Sequence, residues 1–222
     1  MSVTDRRSFL LESATAVAGF TLLGACSSTR TAAEGASSAP AAAADAASAV
    51  PTAKPADWNP VAYNIARGKG GAIPEKYMAD ILGPDGENKH LGKHLPFVPA
   101  LPDDRKIAGT VALMWGDPAK GHAKHPNAAP SETNPEGHWY NWIRVALDGK
   151  PETEVESKFE GWPLSTGTGK YAGLASADPA EDAGKNTVYL AVVPEGAKAG
   201  DTLRVWAHCL THGEYVDFVT LA

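Results

Sequence analysis

Cysteine is almost missing from this sequence. Two occur in 222 residues, Cys26 and Cys209, and the first falls in an export signal described below. The mature chain therefore has one thiol, which excludes a disulfide-stapled scaffold and leaves Cys209 to be explained another way. An excess of positive charge is missing as well: 20 Lys and Arg face 26 Asp and Glu, a formal charge of −6. That balance argues against nucleic acid or an anionic lipid surface as the main partner. No apolar run makes a good membrane span, and sustained helical periodicity is scarce. What remains is a globular balance of 43% hydrophobic and 21% charged residues, with 22 Gly and 17 Pro. Such a chain can fill a core and must turn often.

Residues 1–26 read as an address rather than as part of the fold. Arg6-Arg7-Ser8-Phe9-Leu10 is a twin-arginine pattern, followed by an apolar run to Leu23 that Glu12 and Ser13 interrupt. Leu23-Gly24-Ala25-Cys26 resembles the lipobox of bacterial lipoproteins. The expectation is export by the twin-arginine pathway to the periplasm, or to a membrane surface through lipid on Cys26. That route carries folded proteins, which suits a chain that acquires a cofactor before export. Residues 27–57 are dominated by Ala, Ser, Thr and Pro. They cannot bury enough apolar surface to offset their ordering entropy, and so read as a disordered tether.

From residue 58 to 222 the composition is that of one domain. Residues 59–82 carry weak helical periodicity (Val61, Ile65, Tyr77, Met78, Ile81) broken by Gly68, Gly70 and Gly71. Five runs rich in Val, Ile, Leu, Thr and aromatics follow, at 107–115, 139–147, 187–193, 202–209 and 215–221. Turn residues lie between them, and the pattern predicts an all-β sandwich with long loops. Residues 150–185 are the least readable stretch, in which Gly161, the run at 167–170 and the acidic segment 178–182 read as exposed loops. Within them Gly167-Thr168-Gly169-Lys170 lacks the spacing and the preceding parallel strand of a phosphate loop.

All seven histidines lie in this domain: His90, His94, His122, His125, His138, His208 and His212. In the run 203–209, alternation sets Leu203, Val205, Ala207 and Cys209 on one face and His208 on the other. Cys209 then points into the core at the end of the sandwich, and Gly213 allows a sharp turn that brings His212 back beside it. A thiolate and an imidazole meeting there suit iron, copper or zinc. His94, His125 and His138 each stand where a loop meets a strand, so one end of a sandwich can gather them. Any one of them alone is most simply a solvated loop histidine, and Cys209 alone a buried structural thiol.

Taken in order, the Lys-His-Leu-Pro at 93–96, the His-Pro-Asn at 125–127, His138 before Trp139, and Cys209-x-x-His212-Gly213 resemble the iron domain of superoxide reductases. That is the desulfoferrodoxin and neelaredoxin group, and the likeness spans residues 88–221. It implies an immunoglobulin-like sandwich holding one mononuclear non-haem iron (Fe2+/Fe3+), with His94, His125, His138 and His212 equatorial and Cys209 axial. The sixth position is left to superoxide, and Lys93 supplies positive charge beside it. The implied activity is one-electron reduction of superoxide to hydrogen peroxide. The re-reducing partner is open, with a rubredoxin-like protein or a cytochrome as candidates.

Two departures stand out. Gly92 takes the place of a glutamate common in the family, with Glu87 nearby in sequence, and residues 128–137 lengthen the gap between His125 and His138. His90 and His122 are the reserve ligands. The absence of further cysteines restricts the likeness to the one-iron class. Asn127, Asn141 and the backbone amides of Thr211 and His212 are candidates for tuning the ligands. A cupredoxin-like electron carrier is the alternative, although it wants an axial Met after the Cys and only Met78 and Met114 are present in the domain. A non-catalytic metal-binding lipoprotein is the other.

Overall fold

Every second side chain from Leu203 to Cys209 is sealed from water: Leu203, Val205, Ala207 and Cys209 are at most 1% exposed. This alternation is the organising pattern of the computed structural model, which describes residues 49–222. The twin-arginine motif, Cys26 and residues 27–48 lie outside the described residues. Among the described residues no helix is long and apolar enough to cross a membrane.

Eight strands form: β1 (Pro96–Phe97), β2 (Thr110–Trp115), β3 (Tyr140–Leu147), β4 (Lys150–Lys158), β5 (Lys170–Gly173), β6 (Thr187–Val192), β7 (Thr202–Cys209) and β8 (Gly213–Thr220). They make two four-stranded sheets, ordered β1-β2-β6-β5 and β4-β3-β7-β8. All pairings are antiparallel. Between the sheets, Val111, Leu113, Trp115, Tyr189 and Ala191 meet Ile143, Val145, Leu203, Val205 and Ala207. Each buried branched or aromatic side chain there contributes roughly 1.5–3 kcal/mol. The five apolar runs of the sequence are β2, β3, β6, β7 and β8, with ends displaced by up to three residues.

The stretch 150–185, which the sequence pattern left without strands, contributes β4 and β5. Both are edge strands, and β4 is Lys-Pro-Glu-Thr-Glu-Val-Glu-Ser-Lys. Only one of its faces meets the core, through Thr153, Val155 and the buried Ser157, so it needs little apolar matter. Charged residues on the other face blunt the free edge. Arg144 Nε donates to Glu156 across the β3–β4 pair at 2.7 Å, which helps hold this register.

Ahead of β1 lies a helical strap. It comprises α1 (Pro60–Arg67), a wide turn (Gly68–Ala72), α2 (Glu75–Ile81) and two further turns (Glu87–Leu91, Gly92–His94). The Asn59 side chain caps α1 by accepting from Ala62 N, and Pro60 opens its first turn. Buried Asn64 then bonds both the N–H and the C=O of Val216, at 2.9 and 2.8 Å, fastening α1 to β8. The strap has its own apolar cluster of Ile73, Tyr77, Met78, Ile81, Leu91 and Leu95, closed by Tyr215 of β8.

Residues 49–57, counted above with the tether, also touch the second sheet. Pro51 O accepts from Arg204, Thr52 O accepts from Gly149 N, and Lys54 N donates to Asp148. Composition could not reveal this, because the contacts use main-chain groups that every residue carries.

Candidate metal centre

Cys209 ends β7 facing inward, and the chain turns at once into β8. Gly213 makes that turn with φ +85°, and a Cβ there would lie 2.3 Å from the carbonyl oxygen of Ala72. The turn swings His212 back over the sulfur, with its Nδ1 3.7 Å from Cys209 Sγ. His94 ends the helical turn before β1. His125 is placed by its N–H bonding to Trp115 O at the end of β2, and His138 lies just ahead of β3. Residues 129–137 loop away between paired main-chain groups: Ala128 and His138 exchange hydrogen bonds of 2.9 and 2.8 Å. The long insertion therefore leaves His125 and His138 together.

The ligand atoms of His94, His125, His138, Cys209 and His212 all lie within 4.8 Å of one another. Neighbouring rings run in a closed circuit, with centroid separations of 4.9 Å (His94–His212), 4.7 Å (His212–His138), 4.3 Å (His138–His125) and 5.0 Å (His125–His94). His212 Nδ1 is 3.1 Å from His94 Nε2 and 3.0 Å from His138 Nε2. Metal–nitrogen bonds of about 2.1 Å at a right angle separate two nitrogens by about 3.0 Å, and at a tetrahedral angle by about 3.4 Å. The observed spacings match ligands at right angles, and the five donors exceed a tetrahedral set.

The chemistry of the donors fits a cation equally well. His94 Nδ1 donates to the carbonyl of His90 at 2.7 Å, which leaves its Nε2 a bare lone pair directed at the cluster. One proton cannot satisfy His212 Nδ1 against two imidazole nitrogens and a sulfur, but an ion can. Burial, then the neighbouring imidazoles, hold His94 and His125 well below the ordinary histidine range. Burial brings His138 down to about 4 and His212 to about 3. All four rings are thus neutral ligands at physiological pH. Burial pushes the Cys209 thiol up to about 12, against the N–H groups of Thr211 and His212 and the Lys93 charge, which stabilise the thiolate. A cation bound there would supply the missing compensation.

Lys93 is half-buried beside the cluster, its Nζ 5.4 Å from the centre of the Tyr77 ring. Its charge is among the causes that lower all four ligand histidines. A cleft of about 400 Å³ opens from His212 and Lys93 to solvent, lined also by Tyr77, His90 and Thr211. The reserve ligands do not join the set. His90 contributes only its carbonyl, and the His122 ring packs on Gly92, where a Cβ would meet it at 2.5 Å. That contact leaves no room for a glutamate at position 92, and Glu87 is exposed.

The candidate tuning groups divide. The Thr211 and His212 amides favour the Cys209 thiolate, the His212 N–H also donating to the Cys209 carbonyl at 3.2 Å, whereas Asn141 accepts from the outward-facing His208 at 2.6 Å. Asn127 bonds Gly184 O and Tyr189, and its side chain also acts on His125, favouring the protonated ring against burial. Met78 and Met114 pack in two other apolar clusters, so neither is the axial sulfur a blue copper site wants. Tyr77 was missed by the sequence reading. Its ring stacks on His212 at 3.8 Å, and no local motif announces such a contact.

Fold and site together define a class: a two-sheet β-sandwich with a His4Cys cluster positioned to bind one metal ion. Comparison with family models, with curated proteins and with solved structures returns no match. The residues themselves carry the functional argument.

Proposed function

We propose that the protein is an exported superoxide reductase of the one-iron class, passing one electron to superoxide to give hydrogen peroxide outside the cytoplasm. The observation that carries this reading is the donor set, four neutral imidazoles and a single cysteine whose ligand atoms lie within 4.8 Å of one another, with His212 at right-angle spacing from His94 and His138. Iron held there would supply the one electron that superoxide takes, and would regain it from a carrier such as a rubredoxin-like protein or a cytochrome. The overall change consumes that electron and two protons per superoxide, with water as the proton source.

The residues divide the remaining work. Four uncharged rings favour a divalent ion without adding charge. The Cys209 sulfur would donate electron density to a metal held there, and the amides of Thr211 and His212 would temper that donation. The His90 carbonyl fixes the His94 tautomer. Lys93 draws the anion into the cleft of an otherwise acidic molecule and orders water there. The immunoglobulin-like topology implied by the resemblance, the twin-arginine export and the lipid on Cys26 belong to the same proposal.

The test is rapid mixing of the reduced, iron-loaded protein with superoxide, for wild type and Cys209→Ser. A wild-type reaction that produces a red-region sulfur-to-iron absorption band, lost in the variant, supports the proposal. Equal reaction in both removes the role of the sulfur, and an intense blue band after copper loading would point to the cupredoxin reading.

A further inference from the structure

The sandwich supplies the loops that carry the histidines, but it does not hold His212 alone. That residue sits in the turn between β7 and β8 and retains some exposure on the cleft side. Left to itself, the imidazole has two free torsions and open solvent to swing into. His94, by contrast, is fully buried and stacked on Tyr215, at 4.4 Å and 9° between planes.

The face of His212 is covered from outside the sandwich by Tyr77 of α2, with ring centroids 3.8 Å apart and planes 27° from parallel. The same tyrosine makes an edge contact with His94 at 5.4 Å. Its hydroxyl donates to the carbonyl of His90 at 3.0 Å, the acceptor that already holds His94 Nδ1. One side chain therefore touches two ligands directly and reaches the second of them again through a shared carbonyl. α2 is itself well anchored, since Tyr77, Met78 and Ile81 are buried. The strap reaches the site closely, because Gly213 leaves the space that Ala72, Ile73 and Pro74 occupy.

We propose that Tyr77 is a positioning residue of the metal centre, and that the helical strap is part of the site rather than a cover for the sheet. Its ring sets the pitch of His212, and its hydroxyl steadies the carbonyl that orients His94. The inference rests on the reading of the cluster as a metal site, and does not depend on which substrate the metal serves.

Co2+ titration of the full chain tests it, following the near-ultraviolet sulfur-to-cobalt band and the visible bands of the ion. Tyr77→Leu removes the stack and should weaken Co2+ binding by about 10- to 100-fold, the effect common for groups that orient ligands. The sulfur-to-cobalt band should also shift. Tyr77→Phe keeps the stacked ring and should bind within about threefold of wild type. Ile81→Ala, on the same helix but with its side chain in the strap's own cluster, serves as the control for simple destabilisation. It should lower the thermal midpoint while leaving affinity and band position unchanged.

Wild-type behaviour in Tyr77→Leu overturns the inference. So does an equal loss of affinity in Ile81→Ala, while a Tyr77→Phe as impaired as Tyr77→Leu overturns the role given to the stacked ring. A wild-type protein that shows no sulfur-to-cobalt band overturns the metal reading itself, and the inference with it.

Discussion

At Cys209 two effects of opposite sign meet. Burial resists the thiolate, while the amides of Thr211 and His212 and the Lys93 ammonium favour it. A bound metal would tip the balance, and the amides would then set how much charge the sulfur offers it. Thr211→Pro removes one N–H; Thr211→Ala keeps it and loses only the hydroxyl contact to Gly137 O. The difference between the two isolates the amide. With one donor fewer the sulfur gives more charge, the oxidised metal is favoured, and the midpoint potential of Thr211→Pro should fall below that of Thr211→Ala. Redox titration of the iron-loaded variants reads this directly, and identical potentials would deny the amide its role.

The histidines fix the acid response at the same scale. His138 and His212 titrate near 4 and 3 in the folded protein against 6.5 when unperturbed. In that interval the unfolded chain binds more protons than the folded one. The stability they contribute is therefore fully present above about pH 6.5 and is lost as pH falls through the folded values. The metal-free protein should melt at a lower temperature at pH 5 than at pH 7.5. In His138→Gln combined with His212→Gln the dependence should be visibly flatter, which a pair of thermal scans would establish.

At the scale of elements, the excursion of residues 129–137 is the feature most open to removal. Its base is closed by the two main-chain bonds between Ala128 and His138, and the Thr211 hydroxyl grips Gly137 O at its end. The ends are held without the tip. Deleting residues 131–134 should leave Co2+ stoichiometry at one and the affinity unchanged. A large loss would mean that the loop, not its base, sets the distance between His125 and His138. The same elements show what the sequence can disclose. Cys209, His212 and the facing of β7 were legible because alternation and Gly213 act locally. β4 was not, because an edge strand buries one thin face and carries charge on the other. The stacking of Tyr77 on His212 was not either, because it joins residues 135 positions apart through a helix that has no motif of its own.

Across the whole molecule, the cluster ties together β7, the loops ahead of β1 and β3, and the loop after β2. A metal there cross-links most of one end of the sandwich. Free metal at about 1,000 times its dissociation constant adds roughly 4 kcal/mol. For a domain of this size about 2–4 °C accompanies each kcal/mol, so chelation should lower the melting temperature by roughly 10 °C. The molecule's charge makes the complementary expectation. At a formal −6 the protein repels superoxide overall, and Lys93 opposes that field only near the cleft. Under the proposed superoxide reduction, replacing Lys93 with Met should slow the second-order reaction by about tenfold at low salt. The Debye length is about 10 Å at 0.1 M salt, so added salt screens both the repulsion and the Lys93 attraction. The variant should then speed up as salt rises while the wild type does not, and the two rate constants should converge. If their ratio holds constant from about 10 mM to about 500 mM salt, Lys93 acts by contact, handing on a proton or ordering a water, and the steering role assigned to its charge is wrong.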